Sequence, residues 1–191
     1  MKRQNTYSLP EEILNSATHG LGLLMGLAVC IFFLIKGSAS DSWIAPFSLV
    51  LYLIGVCSSY AASTIYHSIP ASREKAKKIA RKFDHAAIYW HIAGSYSPIT
   101  LVALRQEGYW GWSLFSFVWL CAIVGTILSF RKLKEHSYVE TFCYVGMGLS
   151  VLVAFKPLID TVSTAAVWWI IAEGVFYITG AVFYLLNKRR Y

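Results

Sequence analysis

The chain has 191 residues, 57% of them hydrophobic, 16% aromatic and 14% charged, with a mean hydropathy of +0.52, whereas a soluble domain carries about 25% charged residues. These proportions exclude a soluble enzyme, a nucleic-acid-binding domain and a secreted disulfide scaffold as first readings. The net charge of +7 reports orientation in a bilayer before it reports any partner, so the expected partners are membrane lipids and no nucleic acid.

Apolar runs occupy about 17-36, 43-66, 85-104, 112-130, 138-156 and 165-187. Each approaches or exceeds the roughly 20 residues needed to cross hydrocarbon. Backbone N–H and C=O groups there need internal partners, and the two-residue alternation of barrel strands is absent, so the runs predict helices. The fold class is all-α: one polytopic membrane bundle over 1-191 with six transmembrane helices. Lys2 and Arg3 ahead of Leu21 to Ile35, followed by Gly37-Ser38-Ala39, loosely resemble a cleavable signal. The long polar lead-in to Thr18 and five further spans make an uncleaved first helix the plainer reading. Cys30, Cys57, Cys121 and Cys143 all sit in apolar runs without Cys-x-x-Cys spacing, as small buried hydrophobes do.

Of the 17 lysines and arginines, all but Lys36, Arg105 and Lys156 fall at the termini or after the second and fourth runs. This alternation predicts cytoplasmic termini. It puts Trp43, Tyr109, Trp110, Trp112, Trp168 and Trp169 at the outer interface. The segment with Arg73, Lys75, Lys77, Lys78, Arg81 and Lys82 also suits anionic headgroups, at about 1 kcal/mol per residue, although the inside bias alone predicts it.

Ionisable groups in membrane helices are costly and are functional candidates by default. His19 lies in the first turn of span one, His67 ends span two, and Asp84 with His85 opens span three. Ser59, Ser63 and His67 recur at i, i+4, i+8; Asp84, His91 and Ser95 recur at i, i+7, i+11, so each set makes one helix stripe. Antiparallel neighbours would bring His67 and Asp84 to similar depth. Two readings stand: half of a zinc site with an activated water, or a hydrogen-bonded His–Asp pair locking helix ends. Glu173, Tyr177, Gly180 and Tyr184 form a stripe expected to face inward, and Glu140, Tyr144 and Gly148 form another, suited either to interhelical hydrogen bonds or to a polar path. His91 reads as a buried hydrogen-bonding residue and His136 as solvated. Gly22-x-x-x-Gly26 suits close helix approach.

Three segments together resemble the haemolysin III family, related to the progestin and adipoQ receptors. They are Glu11 to Gly20, Ser63-Thr64-Ile65-Tyr66-His67-Ser68-Ile69-Pro70, and Asp84-His85-Ala86-Ala87-Ile88-Tyr89 through Ile92 to Pro98; Phe176 to Tyr184 is a fourth match. The resemblance covers nearly the whole chain. It implies kinship with membrane metal hydrolases that include alkaline ceramidases, with seven helices and zinc near the cytoplasmic face. Carried over by position, His67 would be a zinc ligand, Asp84 would bind or orient the zinc-bound water, and Ser63 would line the site and polarise a substrate carbonyl. Glu12, Asn15 and His19 match a family segment with no role assigned.

The family pattern also has a seventh helix opening with His-x-x-x-His, which supplies the remaining zinc ligands. No such pair occurs in these 191 residues, and His67 with water alone does not make a zinc site. A longer gene product is the favoured explanation, ahead of a natural six-helix variant and of a shell completed by His85 and His19 or by a neighbouring protomer. The leading expectation is a zinc-dependent hydrolase acting on a lipid amide or ester. The alternatives are a pore-forming cytolysin, which six uncleaved spans suit poorly, and a non-enzymatic sensor or membrane-homeostasis protein.

Overall fold

The computed structural model describes residues 7–37, 42–131 and 138–188. Helices α1 (Leu9–Gly37), α2 (Ile44–Ser68), α3 (Glu74–Pro98), α4 (Trp110–Phe130), α5 (Tyr138–Leu149), α6 (Phe155–Thr161) and α7 (Thr164–Lys188) follow in order, with no strand among the described residues. A π turn at Ile99–Ala103 and a 3-10 turn at Leu104–Gln106 prolong α3, and a 3-10 segment at Ser150–Ala154 joins α5 to α6. Five stretches are long and apolar enough to cross a membrane: Leu9–Lys36, Ile44–Ser68, Trp110–Phe130, Val139–Thr161 and Thr164–Leu186. The sixth segment, α3 with its extension, has charged first turns ahead of an apolar stretch. The chain is an integral membrane protein, a polytopic helical bundle.

Two helices begin well ahead of their apolar runs, and both extensions matter for the site. α1 begins at Leu9, where the Glu11 carboxylate reaches back to Ser8: the Ser8 backbone N–H and hydroxyl both donate to Glu11 Oε2, at 2.7 and 2.8 Å. This is the glutamate half of a serine-x-x-glutamate capping box, and it satisfies the Ser8 N–H at the helix start. Pro10 is tolerated because its missing N–H lies in the first turn. α3 begins at Glu74, so only Ile69–Arg73 separates it from α2. Ile69 takes an extended conformation, φ −80° and ψ 122°, as a residue before proline prefers. The Glu, Lys, Ala and Arg that follow are strong helix formers.

Packing is tightest where α2 crosses α3. A Cβ on Gly55 would lie 2.5 Å from the Trp90 carbonyl oxygen and 3.1 Å from Gly94 Cα, so the absent side chains set the interaxial distance. α1 rests on α2 through the Gly22 and Gly26 face, against Tyr60 and Val56. The main core lies between α3, α4 and α5, around Tyr89, Ala93, Tyr96, Val118, Ala122, Tyr144 and Met147. α7 meets α5 where Tyr177 covers Gly148. Trp43, Tyr109, Trp112, Trp168 and Trp169 are exposed, at or near the starts of α2, α4 and α7, the end opposite the lysines of α3. Lys2, Arg3, Lys132, Lys134, His136, Arg189 and Arg190 lie outside the described residues.

Candidate functional site

Helical direction gathers the start of α1, the end of α2 and the start of α3 at one end of the bundle, which we call the basic end. His67 is buried in the last turn of α2. Its Nδ1 lies 2.6 Å from Glu12 Oε2. Lys77 Nζ donates to the other carboxylate oxygen, Glu12 Oε1, at 2.6 Å, to the Ile69 carbonyl at 2.9 Å and, at 3.4 Å, to the Tyr66 carbonyl. The ammonium also lies 4.9 Å from the centroid of the Tyr66 ring, where cation–π attraction applies. Glu12 therefore ties α1, α2 and α3 together, with both oxygens occupied in a largely desolvated place, and a buried charge requires this pairing.

Aromatic rings wall the imidazole. His19 stacks on it with centroids 6.0 Å apart and planes 17° apart. Tyr7 and Tyr66 approach edge-on, at 5.4 and 4.7 Å. Burial, above all, pushes the Tyr7 phenol above its ordinary value. Tyr184, Asp84 and Glu12 add to that push, and Arg81 opposes it. Tyr7 thus remains a neutral hydroxyl at physiological pH, and its charged neighbours come from α1 and α3.

The expected site residues fall as follows. Ser63 is buried one turn before His67. Asp84 is half-buried on α3, within electrostatic reach of His19, Tyr66 and Tyr7. Asn15 is half-buried on α1, three residues past Glu12. The expected His67–Asp84 hydrogen-bonded pair is corrected: the carboxylate bonded to His67 is that of Glu12. The reason is the early start of α1, which places Glu12 on a helix packed against α2, where Lys77 balances its charge.

His85 belongs to a different cluster. Its Nδ1 lies 3.0 Å from Glu140 Oε2, Ser129 Oγ donates to Glu140 Oε1 at 2.9 Å, and Tyr144 OH donates to the His85 carbonyl at 2.8 Å. These bonds join α3, α4 and α5, so the Glu140–Tyr144 stripe makes interhelical hydrogen bonds. Glu173 is exposed yet turned toward the bundle as expected, with Tyr52 on α2 and Tyr96 on α3 within its electrostatic reach. Tyr177, of the same stripe, is half-buried against the core. His91 helps line a cleft of about 230 Å³ with Gly22, Gly26, Tyr52, Val56 and Tyr60.

Sequence reasoning missed Lys77, which it counted only as one of the basic residues of its segment, and Tyr7. The signal for Lys77 was helical phase: Lys77, Arg81 and Asp84 recur at i, i+4, i+7, the spacing of one helix face. Nothing in the sequence marks Tyr7.

Zinc asks for three or four protein ligands. With Nδ1 turned to Glu12, His67 has Nε2 left for such a role. Among the described residues no three His, Cys, Asp or Glu side chains come together at one point, so these residues do not by themselves fit a zinc shell.

Residues 7–190 match the family model described as "Haemolysin-III related". The chain is 34% identical to "Hemolysin-3" of Bacillus cereus over 96% of its own length and 82% of that protein. It is 32% identical to "Hemolysin-3 homolog" of Bacillus subtilis over 95% and 84%. A more distant relative is the human "Monocyte to macrophage differentiation factor", 27% identical over 91% of this chain and 71% of that protein.

Proposed function

This chain belongs to the haemolysin III family, and from that premise we propose that its basic end is a hydrolytic site for a lipid amide or ester, on the cytoplasmic side of a bacterial inner membrane. The observation that carries the reading is the buried His67, oriented by Glu12 and Lys77, one turn from Ser63 and on the same end as Asp84. A histidine fixed through one ring nitrogen presents the other in a defined direction. Asp84 is the group that takes the proton of the attacking water, and the Ser63 hydroxyl donates to the carbonyl oxygen as negative charge develops there. Zinc is the proposed cofactor: it would supply a Lewis acid, with His67 as the residue here that would help hold it, and the described residues offer no complete shell.

The test uses the full chain in vesicles containing fluorescent amide- and ester-linked lipids, with zinc added or chelated, alongside release of an entrapped dye. Zinc-dependent hydrolysis should be lost in His67→Ala and Asp84→Asn variants that keep their helical circular dichroism, with the dye retained. A His67→Ala variant hydrolysing at the wild-type rate would sink the mechanism, and dye leakage without hydrolysis would favour a pore.

A further inference from the structure

We propose that the outer face of the first three turns of α3 is a binding surface for the phosphodiester headgroups of anionic phospholipids. Because this segment is helical from Glu74, its cations divide between two sides. Lys77 and Arg81 are half-buried on the side of Ala80 and Asp84, and Lys77 is committed to Glu12. Lys75, Lys78, Ile79, Lys82 and Phe83, at i, i+3, i+4, i+7 and i+8, form the other side, and all are exposed.

The two apolar members are what charge alone does not explain. Ile79 is 58% exposed and Phe83 54%, between lysines, just ahead of the apolar stretch that begins at His85. Orientation by basic loops accounts for the number of lysines and requires no apolar side chains among them. A cationic helix face carrying exposed apolar residues is the pattern of an element lying at the headgroup boundary. Ile79 and Phe83 reach the acyl region there, while lysine stems lie along the apolar surface and lift their ammonium groups to the phosphates.

The end of α4 extends the patch. Phe83 meets Phe130 edge-on at 4.9 Å, and Lys82 Nζ donates to the Phe130 carbonyl at 3.3 Å. The neighbouring Arg131 is exposed. Against Lys75, Lys78, Lys82 and Arg131, the acidic residues in these turns of α3 are Glu74 and, on the opposite side, Asp84. The surplus is positive, and it selects anionic over zwitterionic lipid within a Debye length of the surface. This surface is independent of the hydrolytic reading, because its residues are on the opposite side of α3 from Asp84.

The test reconstitutes the full chain in bilayer discs of mixed phosphatidylglycerol and phosphatidylcholine and counts the lipids retained on mild detergent extraction by native mass spectrometry. Phosphatidylglycerol should be enriched by about tenfold or more at low salt. The combined Lys75→Gln, Lys78→Gln and Lys82→Gln variant should lose the enrichment, and the corresponding triple arginine variant should keep it. Ile79→Ser with Phe83→Ser should weaken lipid retention, and millimolar inorganic phosphate should fail to displace the lipid. Equal retention of the two lipids by the wild type would overturn the proposal. So would an unchanged preference in a natively helical triple glutamine variant, and displacement by inorganic phosphate would reassign the face to the free anion.

Discussion

Glu12 and His67, 55 positions apart in the chain, meet with Oε2 and Nδ1 separated by 2.6 Å. An ionised carboxylate only accepts hydrogen bonds, so the imidazole donates from Nδ1. Lys77 balances the carboxylate from α3. One side chain thereby sets the depth of α1 against α2 and the orientation of the proposed reactive group.

The first prediction concerns this junction. Glu12→Ala leaves the Lys77 ammonium and the His67 N–H without their main partner, and should lower stability by about 1–3 kcal/mol. Glu12→Gln should cost less, because its amide oxygen still accepts from His67. Lys77→Met should destabilise by a similar amount, whereas Lys78→Met, on the exposed side of the same helix, should stay within about 0.5 kcal/mol of wild type. Denaturant unfolding in detergent micelles measures all four, and equal effects at Lys77 and Lys78 would refute the assignment.

Gly55 supplies a second prediction. A methyl group there meets the Trp90 carbonyl at 2.5 Å and Gly94 Cα at 3.1 Å, so Gly55→Ala should force α2 and α3 apart at a cost of about 1–3 kcal/mol. Gly174, on α7, has no atom within 4 Å of its ideal Cβ. Gly174→Ala should therefore stabilise its helix by up to about 1 kcal/mol. Thermal unfolding of the two variants in one detergent provides the comparison; a destabilised Gly174→Ala would contradict it.

A third prediction follows from the break between α5 and α6. Tyr96 OH donates to the Gly148 carbonyl at 2.5 Å and accepts from the Val151 N–H at 3.0 Å and the Ser150 hydroxyl at 3.3 Å. It thus replaces helix hydrogen bonds that the 3-10 segment gives up. Tyr96→Phe should destabilise the bundle by about 1–2 kcal/mol and accelerate amide hydrogen exchange at Val151 more than in α2. Unchanged exchange at Val151 would show that the segment holds its shape without the phenol.

The helical membrane class was legible in the chain, because apolar run length is a local property, and His67 and Ser63 shared a stripe there because i, i+4 recurrence is local too. Even Gly22 and Gly26 pointed correctly to close helix contact, though not to Tyr60 and Val56 as the surfaces met. The partner of His67 was not legible. Asp84 was the nearer acid along the chain, and Glu12 lay outside the first apolar run. Its place on α1 depended on Ser8, Pro10 and Glu11, whose capping pattern is short and polar and leaves no mark on a hydropathy profile.

By itself, then, the sequence determined that this chain lives in a bilayer as helices, since a closed barrel, the other arrangement that pairs every backbone N–H and C=O, needs a two-residue alternation these long apolar runs lack. It also placed Glu12, His67, Asp84 and the lysines of α3 at one end of the bundle, through the direction in which each helix runs. Only the tertiary structure decided which carboxylate serves which histidine and which lysines turn inward. Those outcomes depend on helix phase and on the extra turns at the starts of α1 and α3. Each residue of an α-helix rotates the next by about 100°, so the first turn of a helix decides where a lysine several residues later will point.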